Sequence, residues 1–437
     1  MNVILLFRNA LLFLWQHRRR TVALGSTIAF VTALLLVMLG IAEGMNESLI
    51  DSSTTLSSGH VNVGGFFKVT TGQAAPVVTK AKAVEAVIRK EVPELTYIAS
   101  RGRGFAKVLS DQSAMLLGLA GVDIAAERGL ERMLRLKEGR LEDLGKPASI
   151  LLFEDQAAEL MVRVGDPLTI SAPTSRGTNN TVDVTVAAIA RNMGMMSQFS
   201  CFLHHQTLQQ LYQLNDDATG ALQVYLPTPD LEVVKKVQGR LRDALVAAGY
   251  LLMDDDPRAF WFKFDNVSRE GWTGQKLDLT NWHDEVSFVA WTVDLMNALS
   301  FFVAVVLLSV IGVGIMIVMW ISIRERTREI GTLRAIGMQR RNVLAMFVTE
   351  GFLLGLISTT VGAVVGTVLS VALHAAHIEL PQGAQFVLLS DFLIVVPTLK
   401  WTLVSCGFIT ATVTLISLVP SFVAARLKPV SAMSHAG

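Results

Sequence analysis

"REIGTLRAIGMQRR" (residues 328–341) joins two long apolar segments with a short, arginine-rich connector. On one side Leu299–Trp320 holds no charged residue; on the other Val343–Val371 holds only Glu350. Each exceeds the ~18 apolar residues needed to cross the hydrocarbon of a bilayer. Thr21–Ile41 and Trp401–Val419 qualify in the same way. The pattern predicts an α-helical membrane protein with four transmembrane helices (one plus three) and a large α/β periplasmic domain inserted between helices 1 and 2. Composition agrees, at 51% hydrophobic and 17% charged, against roughly 25% charged in soluble domains.

A net charge of +1 gives no general attraction to nucleic acid. Cys201 lies in a polar context and Cys406 in an apolar one, so no disulfide is expected, and no Cys/His spacing suits zinc. The first block follows Arg18, Arg19 and Arg20, as a secretory signal would. Its run of about 20 residues exceeds the 7–15 of a signal, so it is expected to stay as an anchor.

Basic residues orient the chain. Arg8 and Arg18–Arg20 precede the first span; Arg324, Arg326, Arg328, Arg334, Arg340 and Arg341 separate the second and third. Arg426 and Lys428 follow the fourth, while Ala372–Leu399 has neither Lys nor Arg. The positive-inside rule then places both termini and the 324–342 loop in the cytoplasm and residues 46–290 outside it. The expected segments are an interfacial helix at 1–20, helix 1 at 21–45, the α/β domain at 46–290 and helix 2 at 291–323. A coupling segment at 324–342, helix 3 at 343–371, a periplasmic connector at 372–400, helix 4 at 401–419 and a tail at 420–437 follow.

Within residues 2–17, Asn2, Asn9 and Gln16 recur every seven positions, opposite Ile4, Phe7, Leu11 and Leu14. Such a helix lies in the membrane interface. The external region alternates strands and helices. "HVNVGGFFKV" (60–69) reads as a strand, and Val84, Val87 and Ile88 give 81–92 helical spacing. Leu231, Val234, Val237, Leu241 and Leu245 do the same for 230–250. Two βαβ-like units around a middle insertion (about 113–215) are expected, with Gly165–Asp166 turning a helix into a strand.

Here a resemblance enters. "RERTREIGTLRAIGMQRRNVLAMFVTEGFLLGLIS" (324–358) resembles the segment after the second span in permease subunits of the macrolide-exporter, lipoprotein-releasing and cell-division class of ABC systems (the MacB/FtsX/LolC type). "VPSFVAARLKPVSAM" (419–433) resembles that family's closing segment through Pro420, Ala424, Ala425, Arg426 and Pro429. "ILLFEDQAAELMVRVGDPLTI" is similar to a helix–Gly-Asp–strand element of its periplasmic domain. The resemblance implies a bacterial inner-membrane permease paired with a second copy or a paralogue and bound to two cytoplasmic ATPase subunits. It implies that ATP-driven closure passes to the periplasmic domains, often without substrate passing between the spans.

The sequence contains no GxxxxGK[ST] to cradle phosphates. ATP hydrolysis is therefore expected from a separate subunit, with ATP and Mg on that partner and no cofactor in this chain. No GxSxG, HExxH or paired-carboxylate motif is present, so no catalytic or metal-binding residues are expected. The leading expectation for cargo is a lipoprotein or lipid-linked molecule released from the membrane. The alternatives are an exporter working through an adaptor and outer-membrane duct, or a regulator of a cell-wall hydrolase.

Four groups of residues stand out. Arg328, Glu329, Ile330, Leu333, Arg334, Ile336, Gly337, Arg340 and Arg341 form the candidate ATPase-coupling segment. Orientation alone does not call for Ile330, Leu333 and Ile336 in a cytoplasmic turn, because exposed apolar side chains invite a covering partner. Gly351, Gly355, Gly362 and Gly366 make a small-residue stripe for close packing against another span or the partner permease. Trp261, Trp272, Trp282, Phe288 and Trp291 cluster before the second span, as an interfacial belt or as lipid or cargo contacts. Met193, Met195 and Met196 form an apolar loop suited to an adaptable partner or to ordinary packing.

Overall fold

The computed structural model describes residues 3–71, 74–174, 178–193, 196–285, 287–325, 327–381 and 392–426; within these, the side chains of 3–6, 20, 128, 196, 288–294, 296–297, 318, 322, 328–329 and 333–334 are not described. Helix α1 (Val3–Gln16) precedes the 36-residue α2 (Arg18–Ser53), which runs into a π-helical turn, Thr54–Ser58. Then come β1 (Val61–Lys68), β2 (Ala74–Ala75), β3 (Val78–Thr79), α3 (Ala81–Glu91), β4 (Tyr97–Leu109), β5 (Ala114–Val122) and α4 (Arg128–Met133). They lead to β6 (Leu136–Gly139), β7 (Ser149–Phe153), α5 (Glu154–Leu160), β8 (Pro167–Pro173), β9 (Asn179–Ala190), α6 (Met196–Phe199), β10 (Ser200–His204) and α7 (His205–Tyr212). β11 (Ala218–Thr219), β12 (Ala221–Tyr225), α8 (Leu231–Ala247), α9 (Phe260–Arg269), β13 (Gly274–Asn281) and α10 (Trp282–Glu285) follow. Last are α11 (Ser287–Glu325), α12 (Thr327–Ala335), α13 (Arg340–Ala375) and α14 (Leu399–Arg426).

These elements form two units. One comprises residues 1–45, 294–378 and 393–437, the other 46–293 and 379–392. Among the described residues four helices, within α2, α11, α13 and α14, are long and apolar enough to cross a membrane. All four outrun their apolar blocks, because helical hydrogen bonding continues into polar sequence. At 1.5 Å per residue α2 is about 54 Å long, against ~30 Å of hydrocarbon.

The first unit has its own interior, built from Ile28, Val31 and Leu35 of α2, Ile311, Ile315 and Met319 of α11, Phe347 and Leu354 of α13, and Ile409 and Val413 of α14. Ala10 and Leu14 bring α1 into it, with Phe7 edge-on to Phe352 at 6.5 Å. Leu11, Leu12 and Trp15 remain exposed.

The second unit is an α/β domain with one 11-stranded sheet. One end runs β13-β1-β12-β4, antiparallel throughout. The units β1-α3-β4 and β12-α8-β13 interleave there as a split βαβ pair. Val84 and Ile88 of α3 and Val234, Val237, Leu241 and Leu245 of α8 bury their apolar stripes against Val61, Val63, Leu222 and Val224. Asp230 starts α8 by accepting from the Glu232 and Val233 amides at 3.0 and 3.2 Å.

Strand β4 then changes partner. Tyr97–Arg101 pair with β12, and Gly102–Leu109 pair with β5. From β5 the ladder continues through β10, β7, β9 and β8 and returns to β4. Six strands thus close on themselves, which removes exposed edges, around Val108, Leu117, Leu119, Ile150, Leu152, Ile170, Val184 and Leu203. Gly102 and Gly104 sit on the β4 face covered by α7, where a β-carbon would collide with Leu208 and with the Tyr212 ring.

Candidate functional site

Residues 328–341 form most of α12, a break and the start of α13. Gly337 makes the break at φ +104°, a left-handed conformation open to glycine at no steric cost. Arg340 and Arg341 begin α13 in solvent, and Ile336 is 80% exposed. Ile330 corrects the expectation of an uncovered apolar face. It is 1% exposed and packs in the interior of its own unit. The reason is angular: six residues at 100° each put Ile336 about 240° around the helix from Ile330. The side chains of Arg328, Glu329, Leu333 and Arg334 lie outside the described residues.

The glycine stripe divides between two neighbours. A β-carbon on Gly351 would stand 2.6 Å from Ser417 Oγ, and one on Gly355 3.2 Å from Val413 Cγ1, both on α14. On Gly362 it would stand 2.5 Å from the Ala29 carbonyl oxygen, and on Gly366 2.9 Å from Ala33 Cα, both on α2. All four glycines are buried, and each faces another span of this chain, α14 or α2. Thr359 and Thr410 share a hydrogen bond of 3.0 Å along the same seam.

In the α/β domain, the aromatic group is mostly packing. Trp282 is 6% exposed in the core around α3 and α8, and its indole N–H donates to the Pro229 carbonyl at 3.0 Å. It cannot line a lipid belt or groove, and that expectation is corrected. Trp261 stands edge-on to Phe105 and Phe260 at 4.7 and 5.0 Å. The Lys68 and Lys276 ammoniums lie 5.1 and 5.0 Å from the centre of the Trp272 ring. The side chains of Phe288 and Trp291 are outside the described residues. Met193 packs on the core around Phe153 and Phe202, as a structural residue rather than a free loop. Met195 and the Met196 side chain are outside the described residues. A cavity of about 370 Å³ opens beside Phe105, lined also by Pro76, Leu116, Pro173, Tyr212 and Phe264.

The sequence reading missed a buried polar cluster. Arg101 donates to the Thr55 and Leu56 carbonyls at 3.0 and 2.6 Å and pairs with Glu127. Arg103, 5% exposed, lies 5.0 Å over the Phe260 ring. Burial pulls its guanidinium below the ordinary arginine range, and the Glu285 carboxylate opposes that pull. Lys263 and Asp278 form a buried pair at 2.9 Å. Burial raises the Asp278 carboxyl, against the lowering effect of Lys263. "RGRG" (101–104) carried the signal: two arginines at strand spacing share one face, with glycines on the other.

Four membrane-length helices and an inserted sheet domain define the architecture of a multi-pass membrane protein. Residues 21–244, just over half of the chain, match the family model described as MacB-like periplasmic core domain, and residues 301–429 match FtsX-like permease C-terminal. The chain belongs to the MacB/FtsX family of inner-membrane permeases.

The macrolide export ATP-binding/permease protein MacB of Bartonella quintana (strain Toulouse) is 22% identical over 98% of this chain and 59% of its own length. The pyoverdine export ATP-binding/permease protein PvdT of Pseudomonas syringae pv. tomato is 32% identical over 37% of this chain and 22% of its own. The periplasmic region of MacB from Actinobacillus actinomycetemcomitans aligns with a TM-score of 0.29 at 12% identity, covering 42% of this chain and 83% of that one. The chain thus spans less than two thirds of the length of these curated relatives.

Proposed function

We propose that this chain is the permease subunit of an ABC transporter, passing ATP-driven movement from a separate cytoplasmic ATPase to a domain outside the cytoplasm. The observation that carries the reading is helix continuity. α2 is one helix of 36 residues and α11 one of 39, so each leads from a span into the domain's sequence without a linker. The exposed Ile336, Arg340 and Arg341 around the Gly337 break are the ATPase-docking surface in this account. A second permease copy or a paralogue completes the assembly.

For cargo, a small amphipathic molecule passed to an adaptor and duct is better supported than a lipoprotein. The matched relatives are named for macrolide and pyoverdine export. The buried Trp282 removes the residue that best suited an acyl-chain groove. The cavity of about 370 Å³ falls in the ~300–1,000 Å³ range of small-molecule sites.

Purification from native membranes tests both parts. An ATPase chain should co-purify, and its activity should rise with amphipathic small molecules. Absence of any ATPase would sink the transporter reading. Stimulation by lipopeptides alone, with lipoprotein release from spheroplasts, would return the cargo to the lipoprotein branch.

A further inference from the structure

Arg103 stands between the two chain segments that carry the first and second spans. Its Nη2 donates to the Ser57 carbonyl at 3.1 Å, in the turn that ends α2, and to Asn62 Oδ1 at 2.9 Å in β1. Asn62 Nδ2 donates to Thr280 Oγ1 at 2.9 Å, and the Thr280 hydroxyl donates to Glu285 Oε1 at 2.7 Å. Glu285 closes α10, and α11 begins at Ser287. One guanidinium and two polar side chains therefore connect the end of α2 to the approach to α11. Asn62, Thr280 and Glu285 are each no more than 1% exposed.

The end of α2 is held by side chains of the sheet. A helix terminus leaves carbonyls without intrahelical partners, and here side chains of the sheet bond to them, the Thr54 carbonyl also accepting from the Gly59 amide at 2.8 Å. Tyr225 Oη donates to the Thr54 carbonyl at 2.9 Å, Arg101 to those of Thr55 and Leu56, and Arg103 and Gln223 to that of Ser57. Apolar contacts would allow the helix end to slide. Directional bonds from buried donors fix one position, and the two arginines among them carry the desolvation cost of buried charge.

The geometry points to Arg103 as the coupling pin of the permease. It locks the domain-side ends of α2 and α11 to each other and to β4. Because Arg103 follows directly on the point where β4 changes partner from β12 to β5, displacement of either helix reaches both halves of the sheet. This inference rests on the transmission reading, and names the joint through which transmission enters the domain.

The test uses the full chain in nanodiscs with spin labels at Asp51→Cys and His283→Cys, both exposed positions. Cys406→Ala removes one background thiol, and Cys201 is fully buried. Dipolar EPR should give a narrow distance distribution that broadens at least twofold in Arg103→Gln and in Thr280→Val. With the ATPase bound, both variants should lose transport per ATP hydrolysed several-fold at an unchanged hydrolysis rate, which a purely structural defect would not produce. Unchanged width in a folded variant overturns the pin. Should Arg103→Gln fail to fold, Thr280→Val, which keeps the side chain's shape and removes the hydroxyl that joins Asn62 to Glu285, decides alone. Failure of the transmission reading looks different: nucleotide then shifts no distance in the wild-type complex, whatever the width without nucleotide.

Discussion

Gly362 of α13 faces Ala29 of α2 so closely that a β-carbon on the glycine would stand 2.5 Å from the Ala29 carbonyl oxygen. At Gly355 the nearest neighbour is instead a side-chain methyl, Val413 Cγ1, at 3.2 Å. Backbone cannot step aside as a side chain can. Gly362→Ala should therefore lower the melting temperature of the purified protein by several degrees, an overpacking cost of about 1–3 kcal/mol. Gly355→Ala should change it little. Equal shifts for the two would mean that the α2–α13 seam relaxes as readily as the α13–α14 seam.

The buried Lys263–Asp278 pair makes a second prediction. Asp278→Asn leaves an ammonium, 4% exposed, without its counter-charge. Breaking one side of such a pair costs about 3–5 kcal/mol. Lys263→Met combined with Asp278→Leu should recover most of that loss, because no charge is left buried alone. A double variant as unstable as the single one would show that the pair also fixes the strand geometry.

His60 gives the domain a pH dependence. Burial lowers its imidazole to about 4 from the usual 6.5, and its Nδ1 accepts from the Leu226 amide at 2.9 Å. Between these values the unfolded chain binds a proton that the folded one does not, so stability falls as pH drops from about 6.5 towards 4. The shift corresponds to about 3 kcal/mol at most. His60→Asn should flatten this part of the curve in chemical denaturation. An unchanged slope would assign the acid sensitivity to other groups.

The spans could be read directly because an uncharged run of hydrocarbon length has few soluble explanations. The break at Gly337 is equally local, since residue type and φ go together there. The amphipathic faces of α3 and α8 likewise show in residue spacing. The closed strands around Leu117 and Ile150 do not, because β4 meets β8 some 60 positions along the chain. Trp282 misleads for a related reason. Tryptophans before a span look like a membrane belt, and only the Pro229 carbonyl, 53 residues away, reveals the indole as core. The Arg103 network has the same character, drawing on β1, β4 and β13.

Orientation has a direct test. Thr178 and Gln339 are both exposed. With Cys406→Ala as background, Thr178→Cys should react with an impermeant thiol reagent in intact spheroplasts, and Gln339→Cys should not. The reverse pattern would invert the topology expected from the arginines.

The proposed docking of an ATPase at the helix break has its own test. Ile336→Asp with Arg340→Glu replaces an exposed apolar side chain and reverses an exposed charge, so insertion and folding should survive. The ATPase should then co-purify poorly, with stimulated activity reduced at least tenfold. Wild-type co-purification and activity would leave these residues with no role beyond setting topology.

Cargo is best probed at the rim of the cavity. Leu116 lines it yet is 74% exposed, so changing it should hardly disturb the fold. A bound amphipathic molecule would cover roughly 50 Å² of that side chain, about 1 kcal/mol at 25 cal/mol per Å². Leu116→Glu adds a carboxylate that must lose water when the ligand seats, so the combined loss should approach tenfold in Kd. Tyr212 is the control, because its hydroxyl donates to the Phe105 carbonyl at 2.7 Å and Tyr212→Phe removes that bond without charging the cavity. Binding and export should therefore fall in Leu116→Glu and hold near normal in Tyr212→Phe, measured by fluorescence titration and by drug susceptibility of the host. If Leu116→Glu binds and exports normally, the cavity is not the cargo site, and the small-molecule reading loses its structural support.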